Sequence, residues 1–350
     1  MISTEISIPR PDDWHVHLRD GAILNAVLPD TAGVFARAVV MPNLRPPVTT
    51  AASAASYRSR IQALLPPNSG FTPLMTCYLT DSTDPADLRA GYDDGVFIAA
   101  KLYPAGATTN AEDGVTDFGR LGKVLEVMQA LGMPLLIHGE IADPDVDIFD
   151  REAVFVERTL GHLCDRYPEL PIVLEHVTTA DGTAFVESQG PNVAATITPH
   201  HLMINRNTIF RDGIRPHYYC LPIAKRERHR CALRAAATSG NPKFFLGTDS
   251  APHLIADKQS ASGCAGVYNA ATAMSCYAQV FEEERRLERL AGFAAQFGAD
   301  FYRLPRNTEM ITLRRLESPA TSADIELSDA GIRPFLPDTP VFWEVARGAA

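Results

Sequence analysis

No two of the six cysteines form a Cys-x-x-Cys pair; Cys77, Cys164, Cys220, Cys231, Cys264 and Cys276 are scattered. That excludes a disulfide framework and a zinc knuckle, and it fits reduced thiols in a cytoplasm. Met1-Ile2-Ser3-Thr4-Glu5 lacks the basic start and apolar run of a secretory signal, and no apolar stretch approaches a membrane span. Basic residues are in deficit: 32 Lys and Arg against 42 Asp and Glu give a net charge of -10. Nucleic acid and anionic membrane are therefore poor bulk partners, and an anionic substrate needs a local cationic site. There is no Gly-x-Gly-x-x-Gly after the first strand to hold a dinucleotide, no internal repeat and no low-complexity tract. What remains is 350 residues, 46% hydrophobic and 21% charged, an ordinary globular composition that suits one barrel-type domain.

Apolar, β-branched segments recur along the chain. Candidate strands are Asp13–Leu18, Arg37–Met41, Thr72–Tyr78, Phe97–Leu102, Pro134–His138, Ile172–His176, Val193–Thr198 and Phe244–Thr248. Helix-like segments separate them, among them Ala51–Leu64, Asp117–Leu131, Arg151–Tyr167 and Lys225–Ala237. Strands alternating with helices mean βα units and a parallel sheet. Eight such strands close a TIM-type (β/α)8 barrel, with an open doubly wound sheet as the alternative. The whole of 1–350 reads as one domain: a barrel over 10–310 and an extension over 311–350. In that extension Asp324–Leu327 and Val341–Val345 are short strand candidates packing on the barrel.

The segment Asp13-Trp14-His15-Val16-His17-Leu18-Arg19 carries the chemistry. Residues two apart on a strand share a face, so His15 and His17 aim together and make half of a transition-metal site. Lys101, His138 and His176 end later strands, and Asp249 follows the eighth. Strand ends meet at one barrel mouth, so residues far apart in sequence converge there. One histidine at a strand end is a satisfied polar residue; a set of them with an acid is a site.

These residues sit in Asp13–Arg19, Met41-Pro42-Asn43-Leu44, Lys101-Leu102-Tyr103-Pro104, Leu136–Glu140, Leu174-Glu175-His176 and Gly247–His253. In that order, over nearly the full length, the chain resembles the dihydroorotase family of the amidohydrolase superfamily, in its short, single-function bacterial form. The resemblance implies two zinc ions: His15, His17 and Asp249 on the first, His138 and His176 on the second. Lys101 would bridge both as an N6-carboxylysine, a neutral amine made anionic by carbon dioxide. It also implies a metal-bridging hydroxide as nucleophile and Asp249 as general base and acid. Arg19, Asn43 and His253 would hold the substrate carboxylate, and backbone groups at Leu221 and Ala265 the ring amide. Thr108 and Thr109, in the small, polar stretch 105–110, match a loop that closes over substrate.

The implied reaction is the reversible interconversion of N-carbamoyl-L-aspartate and (S)-dihydroorotate in pyrimidine (UMP) synthesis, carried out in the cytoplasm by a homodimer. Two alternatives share the composition: a hydrolase of uncharged cyclic amides, such as a hydantoinase, and an inactive barrel kept for interactions. His200 and His201 are left unassigned, since neighbours on an extended segment point apart. His162, His217 and His229 read as solvated or capping groups.

Overall fold

The structure, a computed structural model, describes residues 4–327 and 330–346. Among them, β1 (Glu5–Pro9) precedes eight successive strands. These are β2 (Asp12–Val16), β3 (Arg37–Val40), β4 (Thr72–Tyr78), β5 (Phe97–Leu102), β6 (Leu135–His138), β7 (Ile172–Glu175), β8 (Val193–Ile197) and β9 (Phe244–Leu246). They pair in sequence order, all parallel, so the expected TIM-type barrel forms. β4 and β5 have the bounds the sequence predicts, and the others stop short at one or both ends. The lost residues at the C-terminal ends peel away to become the mouth.

The barrel closes between its first and last strands at that mouth. Asp249 N–H donates to His15 O (2.9 Å) and His17 N–H to Ser250 O (3.0 Å). The buried Asp13 carboxylate accepts from the Thr248 amide (2.8 Å) and hydroxyl (2.5 Å), which fastens β2 to the segment after β9. Three of the metal-ligand candidates, His15, His17 and Asp249, therefore lie on the two segments whose pairing closes the barrel.

Alternation along the strands builds two separate apolar layers. Ala100, Leu102, Leu135, Ile137, Ile172, Leu174 and their neighbours pack outward in the main core. Trp14, Val39, Met41, Ala99, Leu136, Val173, Ala194 and Phe245 form a second cluster with Ala299 and Tyr302. That cluster plugs the barrel's interior. Two residues further along the same strands, on the same face, come Lys101, His138 and Glu175.

After the barrel come β10 (Met310–Arg315), β11 (Ile325–Leu327), β12 (Ala330–Ile332) and β13 (Trp343–Val345). β11 and β13 fall on the two expected strand candidates. β1 and β10 are not legible in the sequence: they make an antiparallel sheet, β1-β10-β13, that joins segments from opposite ends of the chain. Trp343 is fully buried there, with Nε1 donating to Glu282 Oε2 (3.1 Å). The predicted helix 151–167 contains a π-helical turn, Val156–Leu160, and the helix predicted from Lys225 begins at Glu227.

Candidate metal centre

His15, His17 and Asp249 meet at one point. Nε2 of His15 and Nε2 of His17 are 3.3 Å apart, and Asp249 Oδ1 lies 3.2 and 3.1 Å from them. A zinc ion about 2.0 Å from each donor in a tetrahedron spaces its donors by about 3.3 Å, so the triangle has the edges such an ion requires. The outer nitrogen of His17, Nδ1, pairs with Asn43 Oδ1 at 2.8 Å, which holds the ring and leaves Nε2 inward. Nδ1 of His15 sits 2.8 Å from Glu175 Oε1, at an angle too poor for a hydrogen bond.

His138 and His176 stand on the other side, their rings 4.8 Å apart and that of His176 5.0 Å from His15. His138 Nε2 pairs with Glu140 Oε2 (2.8 Å), so Nδ1 is the nitrogen left for a metal. His176 Nδ1 is buried and has no hydrogen-bond partner among the described residues. Lys101 is fully buried and pairs with Glu175. Burial lowers the Lys101 pKa, against the pull of Glu175, toward the neutral amine.

The electrostatics ask for a cation. Burial alone would lower His15, yet Glu175 and Asp249 raise it to about 9. Burial works against the Asp249 carboxylate too, but His15 and His17 hold it well below the usual carboxylate range. A proton on His15 is thus kept where a metal ion would serve the same anions. The buried, partly unpartnered histidine and carboxylate set fits a divalent cation.

The backbone is bent to achieve this. Among the described residues seven non-glycines have positive φ, and Arg19 (57°), Asn110 (55°), His176 (43°) and Asp249 (45°) are four of them. Such strain persists only where the surroundings enforce it, and it gathers at sites of function. At β7 it breaks the two-residue alternation, so that Glu175 and the adjoining His176 both reach the mouth. Glu152 secures this corner by accepting from the amides and hydroxyls of Thr178 and Thr179, at 2.5 to 3.0 Å.

The cavity above the histidines is small and lined by Arg19, Asn43, Tyr103, Thr108, Thr109, Leu221 and Ala265, beside the ligand candidates. Arg19 Nη1 is buried without a hydrogen-bond partner among the described residues, and its Nε donates to Pro252 O (3.3 Å). Its Nη2 lies 3.2 Å from His253 Nε2, but that nitrogen also lies 3.0 Å from Ala265 O. One nitrogen cannot accept from Arg19 and donate to Ala265 at once, so the guanidinium has spare donors. Burial and Arg19 push the His253 imidazole down to about 2, and it is neutral at working pH. His253 flanks the cavity behind Arg19. The 105–110 loop is folded down: Asn43 Nδ2 donates to Thr109 O (3.1 Å), and Thr109 Oγ1 to Ala265 O (3.2 Å).

Beside Glu152, three buried acids were not expected from the sequence. Asp13, Glu140 and Glu175 all lie inside the quoted motifs; alternation from Val173 marks Glu175, and nothing local marks the others. His200 and His201 lie in a helical turn, Pro199–Met203, with rings 4.4 Å apart, because Pro199 and the Thr198 cap start a helix where an extended segment was expected. They remain unassigned: His201 is satisfied by Thr198 Oγ1 (2.8 Å) and Pro222 O (2.9 Å), although Cys220 lies nearby. His229 caps a helix, accepting from Ala180 N–H at 3.0 Å.

Residues 12–313 match the amidohydrolase family. The chain is 58% identical over 344 residues to a dihydroorotase of Cereibacter sphaeroides (strain ATCC 17025 / ATH 2.4.3), covering 98% of this chain and 99% of that one. It is 57% identical to a dihydroorotase of Synechococcus sp. (strain CC9605), covering 99% and 98%. Among solved structures it is similar to the dihydroorotase of Saccharomyces cerevisiae in complex with 5-fluoroorotic acid. That likeness has a TM-score of 0.89 at 33% identity, covering 98% of this chain and 99% of that one. An L-hydantoinase of Arthrobacter aurescens shares the fold, at TM-score 0.79 and 17% identity over 97% of this chain and 83% of that one.

Proposed function

This chain belongs to the amidohydrolase family, among its dihydroorotases, and we propose that the barrel mouth is the active site and that its residues divide the work as follows. The reaction is the reversible interconversion of N-carbamoyl-L-aspartate and (S)-dihydroorotate, a step of pyrimidine synthesis. The observation that carries the site is the convergence of His15, His17 and Asp249 within 3.1 to 3.3 Å, beside a buried Arg19 with an unpartnered nitrogen.

His15, His17 and Asp249 would hold one zinc ion and His138 and His176 the other, and Lys101, carboxylated on its neutral amine, would supply an anionic ligand to the pair. When bound, such cations lower the pKa of water and polarise the ring carbonyl. Asp249 accepts the proton of the attacking water and returns it to the leaving amide nitrogen. Arg19 meets the substrate carboxylate with its free donors. Asn43 adds its amide and ties His17 to the loop, while His253, neutral, backs the guanidinium. Thr108 and Thr109 exclude water. Backbone groups at Leu221 and Ala265 read the ring amide.

Closure turns a dianion into a monoanion, consuming a proton and releasing water. Acid pH therefore favours the ring and alkaline pH the open form. Residues 1–350 act as one hydrolase domain, with the described part of 311–350 packed on the barrel and residues 328–329 and 347–350 outside the described residues, and the enzyme works as a cytoplasmic homodimer. Among the described residues no helix is long and apolar enough to cross a membrane.

The test supplies dihydroorotate, dihydrouracil and hydantoin in parallel to zinc-supplemented protein, following loss of ring absorbance. Selective hydrolysis of dihydroorotate, abolished by chelation, is expected. Faster turnover of the uncharged rings would overturn the carboxylate assignment. Labelled bicarbonate should give a carbamate carbon signal in the wild type that Lys101→Ala lacks.

A further inference from the structure

Lys258 ends the short helix Ile255–Lys258 and is 4% exposed. It forms no ion pair among the described residues. Its ammonium instead donates to three backbone carbonyls, those of Tyr219, Cys264 and Gly266, at 2.7 Å each. All three N–H groups are used, so the geometry is saturated. Burial pushes the group down to about 8. A buried cation without a carboxylate is costly, and it is kept only where the carbonyls it gathers matter.

Those carbonyls belong to the two segments that line the substrate cavity. Cys264 and Gly266 flank Ala265. Their oxygens turn to Lys258, while Ala265 O turns the other way, toward His253 Nε2 (3.0 Å) and the Thr109 hydroxyl (3.2 Å). Tyr219 O also accepts from Gly266 N–H (3.1 Å), and Leu221 follows two residues later. Gly266, at φ 151°, lets the chain pass so close that a Cβ there would meet the His253 ring at 2.8 Å.

We propose that Lys258 is a positioning residue: it staples the Leu221 and Ala265 backbone segments together and so sets affinity for the substrate ring without touching it. The inference rests on reading the mouth as a dihydroorotase site. Contacts to the ring amide are made in ground and transition states alike, so loosening them raises KM more than it lowers kcat.

The experiment is steady-state kinetics on (S)-dihydroorotate with zinc content and Tm for wild type, Lys258→Met and Lys258→Arg. Wild-type turnover tests the site reading alone; the variants test Lys258. Lys258→Met should raise KM about tenfold or more with kcat within about threefold and zinc unchanged. Lys258→Arg keeps the charge, but its planar fork cannot converge three N–H groups on one point, so an intermediate rise is expected. Wild-type KM in either folded variant would overturn the proposal. So would a joint fall of kcat, affinity and zinc, or the failure of both variants to fold, since each shows a general structural role. If only Lys258→Met fails to fold, Lys258→Arg decides by the same readout.

Discussion

The two ends of the barrel interior are built from the same strands and do opposite things. At the closed end Trp14 stacks on Tyr302, centroids 4.5 Å apart and planes 7° from parallel, with Phe245 edge-on at 6.3 Å. The layer is neutral and densely packed. Two residues along the strands, the mouth holds buried charges, unpartnered ligand nitrogens and left-handed backbone. Packing of the first kind supplies stability, and polar crowding of the second kind consumes it for function. Changes at the mouth should therefore cost activity and spare stability, and changes at the plug should do the reverse.

The largest effect is expected from Asp249→Asn. Losing the proton carrier and a metal ligand should lower kcat by roughly a thousandfold or more, while the metal-free protein melts no lower than wild type. A large fall in Tm would erase the contrast. Arg19→Met comes next. The loss of a charged, bidentate carboxylate contact should lower kcat/KM for dihydroorotate by about 10- to 100-fold, with Tm unchanged or raised because a buried unpaired cation is gone. Equal losses on an uncharged ring would break the assignment.

At the plug, Gly298→Ala is the sharpest probe. A Cβ there would stand 2.0 Å from Trp14 Nε1, and the indole has nowhere to yield between Tyr302 and Phe245. Overpacking of this kind costs about 1–3 kcal/mol, read as a lower denaturant midpoint, while kcat per folded molecule stays at wild type. The smallest effect is expected at the rim. Arg314→Ala removes an exposed pair with Glu344 on the β10-β13 sheet and should leave Tm unmoved, since buried Trp343 and Leu313 hold that sheet. A clear fall would mean that the sheet depends on its charges.

Much of the site was legible because the barrel makes function periodic. Ala99 to Lys101 and Leu136 to His138 follow strand alternation, and the motifs place each ligand at a strand end. Glu175 obeys the same rule from Val173, but His176 beside it breaks the alternation, so the pattern does not single out which of the two faces the mouth. The positive φ that lets both reach the mouth is not written in local propensity. Nor are Asp13 and Glu152, whose partners Thr248 and Thr178 lie far along the chain or across a loop. β1 and β10 were illegible for a related reason: each is short and half exposed, and they pair with each other across about 300 residues of chain.

Metal content bears most directly on the central claim. Protein purified without chelator would be assayed for zinc per subunit and for dihydroorotate turnover, then stripped and reloaded. Two zinc ions per subunit, with activity lost on stripping and restored on reloading, is the result this account predicts. Full turnover from protein holding less than one zinc ion per subunit, in the presence of chelator, would contradict it.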